Sequence, residues 1–317
     1  MTSFWNKLEK PFSVMAPMDD VVDNAFRQVM MKVGRPDAFF TEFTNIDGLV
    51  HGGNGIPLRK LEYTDDQHPI VAQLWGTDTK NMEKSAKIAA KMGFDGIDIN
   101  MGCPVREVIK KGAGSGLIGN YELAEQLIKS AKNGAGKIPV SIKTRLGRNT
   151  NIADEWIPFL LKQNIAALTI HARTAKQMSK VPADWDEIGK IVEIKNSISP
   201  QTIIVGNGDV ENYKTIADMN KRYGVDGVMV GRGVFKNPWV FVKNTSDQKH
   251  SKNDYLEIFN YHLDLYDKLY KGTKHYAALK KFFKMYIKDF RGANTLRMKL
   301  METNSSDEAR EIIKTTY

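Results

Sequence analysis

The sequence predicts an α/β fold, a (β/α)8 TIM barrel followed by a C-terminal all-helical domain, and three observations predict it. Eight short runs rich in apolar and β-branched residues recur through the first three quarters of the chain. Stretches of helical spacing separate them, which is the pattern of repeated βα units. After Trp239 the strand pattern stops and helical periodicity alone remains.

The eight expected strands are Val14–Met18, Ala38–Phe43, Pro69–Trp75, Gly96–Met101, Pro139–Thr144, Ala167–His171, Thr202–Gly206 and Gly227–Val230. Between them, Asp78 precedes Met82, Ala86, Ala89 and Met92 as a helix cap, with Gly93 at the end. Asn120 caps Leu123 and Leu127, with Gly134 expected as the stop. Eight βα units in series can close on themselves, which removes every sheet edge and buries one apolar interior. The structural rival is an open doubly wound sheet. That fold places a Gly-rich phosphate loop after its first strand, and Ala16-Pro17-Met18-Asp19 is not one.

Beyond the barrel, Lys252–Tyr270, His275–Phe290, Ala293–Met301 and Asp307–Thr315 read as helices, punctuated by Gly272 and Gly292. The expected division is residues 1–243 for the barrel and 244–317 for the helical domain. At 317 residues, the chain has room for a barrel of roughly 250 residues and one small companion.

Apolar residues make up 42% and charged residues 26%, the balance of a globular chain that buries a core. The net charge of +9 favours an anionic partner. From Lys243 to Tyr317 there are 15 Lys or Arg against 10 Asp or Glu, so +5 of the charge sits in under a quarter of the chain. One cysteine excludes an internal disulfide and a Cys-based metal site. No apolar run approaches the roughly 18 residues of a membrane span, and Met1 to Lys10 lacks a signal-peptide core, so the expected location is the cytoplasm.

In such a barrel, chemistry sits at the C-terminal ends of the strands. Those ends carry Gln73, then Asn100 and Cys103, then Lys143 and Arg145, then His171 and Arg173, then Asn207-Gly208-Asp209, and finally Gly231-Arg232-Gly233. Gly206, Gly208, Gly231 and Gly233 permit close backbone approach to a phosphate, although glycines alone read equally as turn residues. Arg232 between two of them favours phosphate. Lys143 either points into the barrel, where it needs a polar partner, or outward into solvent. Cys103, in Asn-Met-Gly-Cys-Pro beside the Gly112–Gly116 loop, is a small hydrophobe, a nucleophile or a general acid. His171 is a ligand-facing group or a packing residue. Glu42, Asp98 and Asp209 do not make a metal cluster by pattern, so no metal is expected.

Taken together, Ala16-Pro17-Met18, Thr41-Glu42-Phe43, the strand at Gln73, Asp98–Pro104, Lys110–Gly116, Lys143–Gly147, His171–Thr174, Gly206–Asp209 and Gly231–Gly233 resemble the tRNA-dihydrouridine synthases. Almost the whole chain takes part. The resemblance implies FMN held by Pro17, Met18 and Asp19 below the ring and by Gln73 and Lys143 at its polar edge. It implies His171, Asn207, Gly208, Asp209, Gly231 and Arg232 around the ribityl chain and phosphate. Cys103 would donate a proton, Asn100 and Arg145 would meet the uracil edge, and NADPH would be the reductant. Gly116 stands where the family is expected to carry alanine more often. The basic helical domain would bind tRNA through phosphates, with Lys280, Lys281, Lys284 and Lys288 on one broad helix face interleaved with Phe282, Phe283 and Tyr286; the aromatics read as core, and the lysines as an RNA contact or a solvated face. The rival functions are an FMN-dependent dehydrogenase of a free pyrimidine, of dihydroorotate or dihydropyrimidine type, and a non-catalytic RNA-binding barrel.

Overall fold

The computed structural model describes residues 3–52, 55–243 and 250–316. Nine strands form one all-parallel sheet: β1 (Phe12–Met15), β2 (Phe39–Phe40), β3 (Thr44–Asn45), β4 (Ile70–Trp75), β5 (Gly96–Met101), β6 (Val140–Arg145), β7 (Ala167–His171), β8 (Ile203–Asn207) and β9 (Gly227–Val230). Their spatial order is β1-β9-β8-β7-β6-β5-β4-β2, with β3 also paired to β4. The parallel bridge Val14↔Ala38 joins the two ends of that path and closes the ring. The fold is therefore a (β/α)8 barrel.

The second expected strand divides in two. Phe39–Phe40 and Thr44–Asn45 both pair with β4, and the intervening Thr41 turns its hydroxyl to the Glu42 carbonyl. The first strand ends at Met15, earlier than the apolar run suggests: Ala16 N–H still donates to the Val230 carbonyl at 2.9 Å, and from Pro17, which has no N–H, the chain leaves the sheet as a loop.

One end of the barrel is plugged by Trp5, Phe12, Val14, Phe40, Val71, Ala167, Ile203, Val205 and Met229. Since alternate residues of a strand face one side, these fix which positions point inward. Gln73 follows Val71 on β4, Thr169 and His171 follow Ala167 on β7, and Asn207 follows Val205 on β8. Register then carries the inward face across: Gln73 opposes Asp98, Asp98 opposes Ser141, Asn100 opposes Lys143 and Lys143 opposes Thr169. The interior is thus apolar at one end and polar at the C-terminal end.

Asp78 caps helix Thr79–Lys91 by accepting the Asn81 N–H at 2.8 Å. Asn120 caps helix Tyr121–Ala135 through Leu123 N–H. Gly134 does not end that helix, contrary to the sequence expectation. The helix runs through it and stops at Gly136, whose φ is +63°. A Cβ at Gly134 would lie 2.0 Å from the Glu83 carbonyl oxygen, so the glycine serves the close crossing of two helices.

The chain divides into two compact units, the first comprising Met1–Asn24, Pro36–Val210 and Lys214–Gly231, the second Ala25–Arg35, Glu211–Tyr213 and Arg232–Tyr317. Membership follows packing and not chain order. Within the second unit, Phe26 stacks on Phe282 at 4.9 Å and on Phe235 at 6.3 Å, while Phe259 meets Phe283 edge-on at 5.0 Å. Helices Lys252–Tyr270, Ala293–Glu302 and Ser306–Thr316 match their expected spans closely. The single helix expected over His275–Phe290 is instead a 3-10 segment, Tyr276–Phe282, and one α turn, Phe283–Tyr286. Phe282, Phe283, Met285, Tyr286 and Ile287 are nearly consecutive and all buried, a pattern that no single helix face can supply.

Candidate active site

Inside the mouth of the barrel, five groups form one hydrogen-bonded chain. Ser141 Oγ donates to Asp98 Oδ1 at 2.7 Å, and Gln73 Nε2 donates to Asp98 Oδ2 at 2.7 Å. Asn100 Nδ2 donates to Gln73 Oε1 at 2.9 Å. Asn100 Oδ1 then accepts the backbone N–H groups of Gly102 and Cys103 at 3.1 and 2.9 Å. All four side chains are buried. The alternation Ile97, Asp98, Ile99, Asn100, Met101 makes this arrangement readable in retrospect: polar residues at every second position of a buried strand have to be satisfied inside the barrel.

Lys143 points inward from β6, which decides the alternative left open by sequence. Among the described residues its one hydrogen bond is the long 3.3 Å contact to Asn207 Oδ1, and Asn207 is itself anchored through Nδ2 to the Met229 carbonyl at 2.8 Å. Burial, with Arg145 adding repulsion, lowers the Lys143 pKa to about 8, against the opposing pull of Asp98. Burial likewise raises Asp98 to about 7, although its hydrogen bonds to Ser141 and Gln73 and the charge of Lys143 act the other way.

Cys103 is buried on the turn after β5, packed with Val108 and Ala113 and flanked by Phe43 and Trp75. Its carbonyl accepts the Ser115 N–H at 3.0 Å, tying the turn to the glycine-rich loop. Gly114 adopts a φ of +57°, and a Cβ there would meet Cys103 and Val108 within 3.0 Å. Burial pushes the Cys103 thiol upward, outweighing the Val105 backbone hydrogen bond and the charges of Arg145 and Lys143. The thiol is therefore held protonated at neutral pH, which suits a proton donor and not a thiolate nucleophile.

Arg145 is buried, and its Nε donates to the Gly102 carbonyl at 2.8 Å while Nη1 reaches the carbonyls of Thr174 and Met178 at 3.2 and 3.3 Å. It braces the Cys103 turn from outside the side-chain chain. On the neighbouring strand ends, Arg173 donates Nε to the Val181 carbonyl and Nη2 to Asp209, and its Nη1 lies 3.1 Å from His171 Nε2. An arginine can only donate, so His171 Nε2 accepts and the neutral ring carries its proton on Nδ1. Gly208, with φ +136°, leaves room beside the His171 ring, while its carbonyl accepts Trp185 Nε1 at 3.0 Å. Arg173, Trp185, Asp98 and Ser141 are supporting residues to which sequence reading gave no role.

Pro17 and Met18 are half-buried and Asp19 is exposed, paired with Lys60. A Cβ at Gly231 would sit 3.7 Å from Met18 Sδ, so these two expected cofactor residues are neighbours. Carboxylates of Asp19, Asp20 and Glu42 lie within 4.8 Å of one another, a grouping different from the Glu42, Asp98 and Asp209 considered by pattern. Lys60 pairs with Asp19, and Glu42 accepts the Asp20 N–H at 2.6 Å.

Arg232, exposed at the head of the short helix Gly233–Lys236, counts with the second unit, as do Lys280, Lys281 and Lys284. Lys280 donates to the Met301 carbonyl at 2.7 Å, and with Lys284 and Arg297 it borders a groove floored by Met298 and Met301. Phe282, Phe283 and Tyr286 are core residues, as their spacing suggests.

A polar cofactor fits the barrel mouth on two counts. An inward lysine has donor capacity beyond its one long bond, and among the described residues the buried Thr169 hydroxyl, its partner in register, has no hydrogen-bond partner.

Comparison with known proteins bears on the chain as a whole. The chain is 45% identical over 315 residues, 98% of its length and 95% of the other, to "Probable tRNA-dihydrouridine synthase 2" of Bacillus subtilis (strain 168). It is 43% identical over 314 residues, 98% of its length and 94% of the other, to "Probable tRNA-dihydrouridine synthase" of Staphylococcus aureus (strain Mu50 / ATCC 700699). Among solved structures, 6-hydroxypseudooxynicotine amine oxidase from Pseudomonas geniculata N1 shares the fold at a TM-score of 0.50 and 11% identity, over 72% of this chain and 46% of that one. The family model described as dihydrouridine synthase matches residues 14–317, from within β1 through the other strands of the barrel and the helices that follow. With that match and relatives this similar over nearly their full lengths, the chain belongs to the dihydrouridine synthase family.

Proposed function

We propose that the protein is a tRNA-dihydrouridine synthase: an oxidoreductase that saturates the C5=C6 bond of uridines in tRNA, with FMN as its cofactor, NADPH as reductant and Cys103 as proton donor. When bound, the flavin supplies the hydride for uracil C6. The observation that carries the reading is the buried thiol of Cys103 on a turn braced by Asn100 and Arg145, beside an inward lysine that lacks a strong partner.

Each group has a task that its surroundings support. Lys143 offers a cation to the polar edge of the ring, with Gln73 beside it, and its depressed pKa eases loss of a proton near neutrality. Pro17, Met18 and Asp19 would help hold the ring. His171, Asn207, Gly208, Asp209 and Gly231 would serve the ribityl chain and phosphate. Asn100 and Arg145 both hydrogen-bond to the backbone of the Cys103 turn, which places them to meet the uracil edge.

A stacked base cannot enter a barrel mouth, so the target uridine has to leave its stack. Lys280, Lys281 and Lys284 of the helical unit bind tRNA phosphates. The proposed setting is the cytoplasm, in keeping with the absence of any helix among the described residues long and apolar enough to cross a membrane. The test is direct: incubate unmodified tRNA with the protein, FMN and NADPH, digest to nucleosides and quantify dihydrouridine by mass spectrometry. Dihydrouridine accumulating in step with NADPH consumption supports the reading, and none accumulating overturns it.

A further inference from the structure

We propose that Asp98 is a positioning residue: it sets the polarity of the hydrogen-bonded chain that runs through Gln73 and Asn100 to the Cys103 turn. The inference deepens the functional reading above, since it explains how the proton donor is held, but its geometry stands without any ligand.

The terminal amide of a buried glutamine fits its space equally well either way round, and only its partners choose between the two orientations. A carboxylate accepts and does not donate. With Asp98 at 2.7 Å, Gln73 has to present Nε2 to it and turn Oε1 toward Asn100. Asn100 then has to present Nδ2 to Gln73, which leaves Oδ1 for the N–H groups of Gly102 and Cys103. Every donor along the chain points back toward Asp98, and Ser141 donates to its other oxygen. The far end fits for the same reason, because backbone N–H groups only donate. An acceptor-only group at one end and donor-only groups at the other leave a single consistent arrangement, and the Cys103 turn is its terminus.

Paired substitutions can reverse this polarity. Asn100→Asp places acceptors at both ends of Gln73, so one carbonyl-to-carboxylate clash is unavoidable unless a carboxyl is protonated. Adding Asp98→Asn gives position 98 an NH2 that can donate to Gln73 Oε1. Gln73 then turns over, donates to position 100, and every group is satisfied again. A residue that merely fills space has no reason to be rescued by its isostere in this way.

The experiment measures amide hydrogen exchange of Gly102 and Cys103 over about pH 8.5–10, above the value of about 7 to which burial raises Asp98 and with room for the further rise that a second carboxylate causes, in wild type, D98N, N100D and the double variant. Expected is exchange accelerated about tenfold or more in N100D and returned to within about threefold of wild type in D98N/N100D. A double variant exchanging as fast as N100D, or an N100D as protected as wild type, overturns the proposal. If N100D does not fold, recovery of folded protein in the double variant supports the same inference and its failure to recover overturns it. Because neither flavin nor tRNA enters the measurement, an ordered exchange series with no dihydrouridine formed would leave this inference standing and remove the functional reading instead.

Discussion

Asp98 and Lys143 share the barrel interior but respond to pH in opposite senses. Asp98 binds its proton more tightly in the folded protein, with a pKa of about 7 against 3.8, so its contribution is full at low pH and is lost as pH rises through that interval. Lys143 binds its proton less tightly when folded, about 8 against 10.5, so its contribution is full above the upper value and is lost as pH falls through the lower. Thermal unfolding of the cofactor-free protein should therefore show stability falling from about pH 4 to 7, and Asp98→Asn should flatten that limb. Lys143→Met should remove the alkaline limb and stabilise the apo protein, because it relieves a desolvated charge, while weakening flavin retention. An unchanged pH profile in either variant would show that these groups are better solvated than the geometry implies. At the reacting atom, Cys103→Ala should leave flavin binding intact and lower turnover on tRNA by about a hundredfold or more, as loss of a general acid does. Turnover within a fewfold of wild type would remove Cys103 from the chemistry. The strand-end residues were legible because barrels put chemistry there. Asp98 was considered only as a metal ligand and Ser141 not at all, since nothing in a linear sequence says which inward polar groups meet across strands.

At the scale of elements, the strands with uniform apolar or alternating runs were legible almost to the residue, as Gly96–Met101, Ala167–His171 and Gly227–Val230 illustrate. Elements whose form depends on a neighbour were not. Gly134 reads as a stop because glycine usually is one, whereas here it lets helix Tyr121–Ala135 approach helix Thr79–Lys91. Gly134→Ala should cost about 1–3 kcal/mol in urea unfolding, since the new Cβ would meet a backbone carbonyl that cannot move alone. Gly136→Ala, with nothing within 4 Å but a φ of +63° and a ψ of −105°, outside the left-handed helical region, should cost about 1–3 kcal/mol through backbone strain alone. No cost at Gly134 would mean that the helix crossing relaxes freely. The segment from Tyr276 to Tyr286 misled for a related reason: its aromatics are buried on successive positions, so surrounding helices dictate its shape more than its own periodicity does.

Over the whole molecule, the sequence separated a barrel from a basic helical tail but could not show that Ala25–Arg35 packs with that tail, because unit membership depends on residues remote in sequence. Half-exposed and exposed lysines on the second unit make its role testable by salt. Replacing Lys280, Lys281 and Lys284 together by Ala should weaken tRNA binding and reduce the slope of log K against log salt by about 2, at roughly 0.7–0.9 for each phosphate that a lysine no longer neutralises. An unaltered slope would assign the RNA to other residues. The central claim is that electrons pass from a bound flavin to a uridine of tRNA. The measurement that tests it most directly is anaerobic: reduce the FMN-loaded protein with NADPH, add unmodified tRNA, and follow flavin absorbance near 450 nm, roughly where oxidised flavins absorb. Rapid reoxidation by tRNA, but not by orotate or uracil, is the predicted result. A flavin that stays reduced with tRNA and is oxidised by a free pyrimidine would contradict the account, and a protein that takes up no FMN would contradict it at its first step.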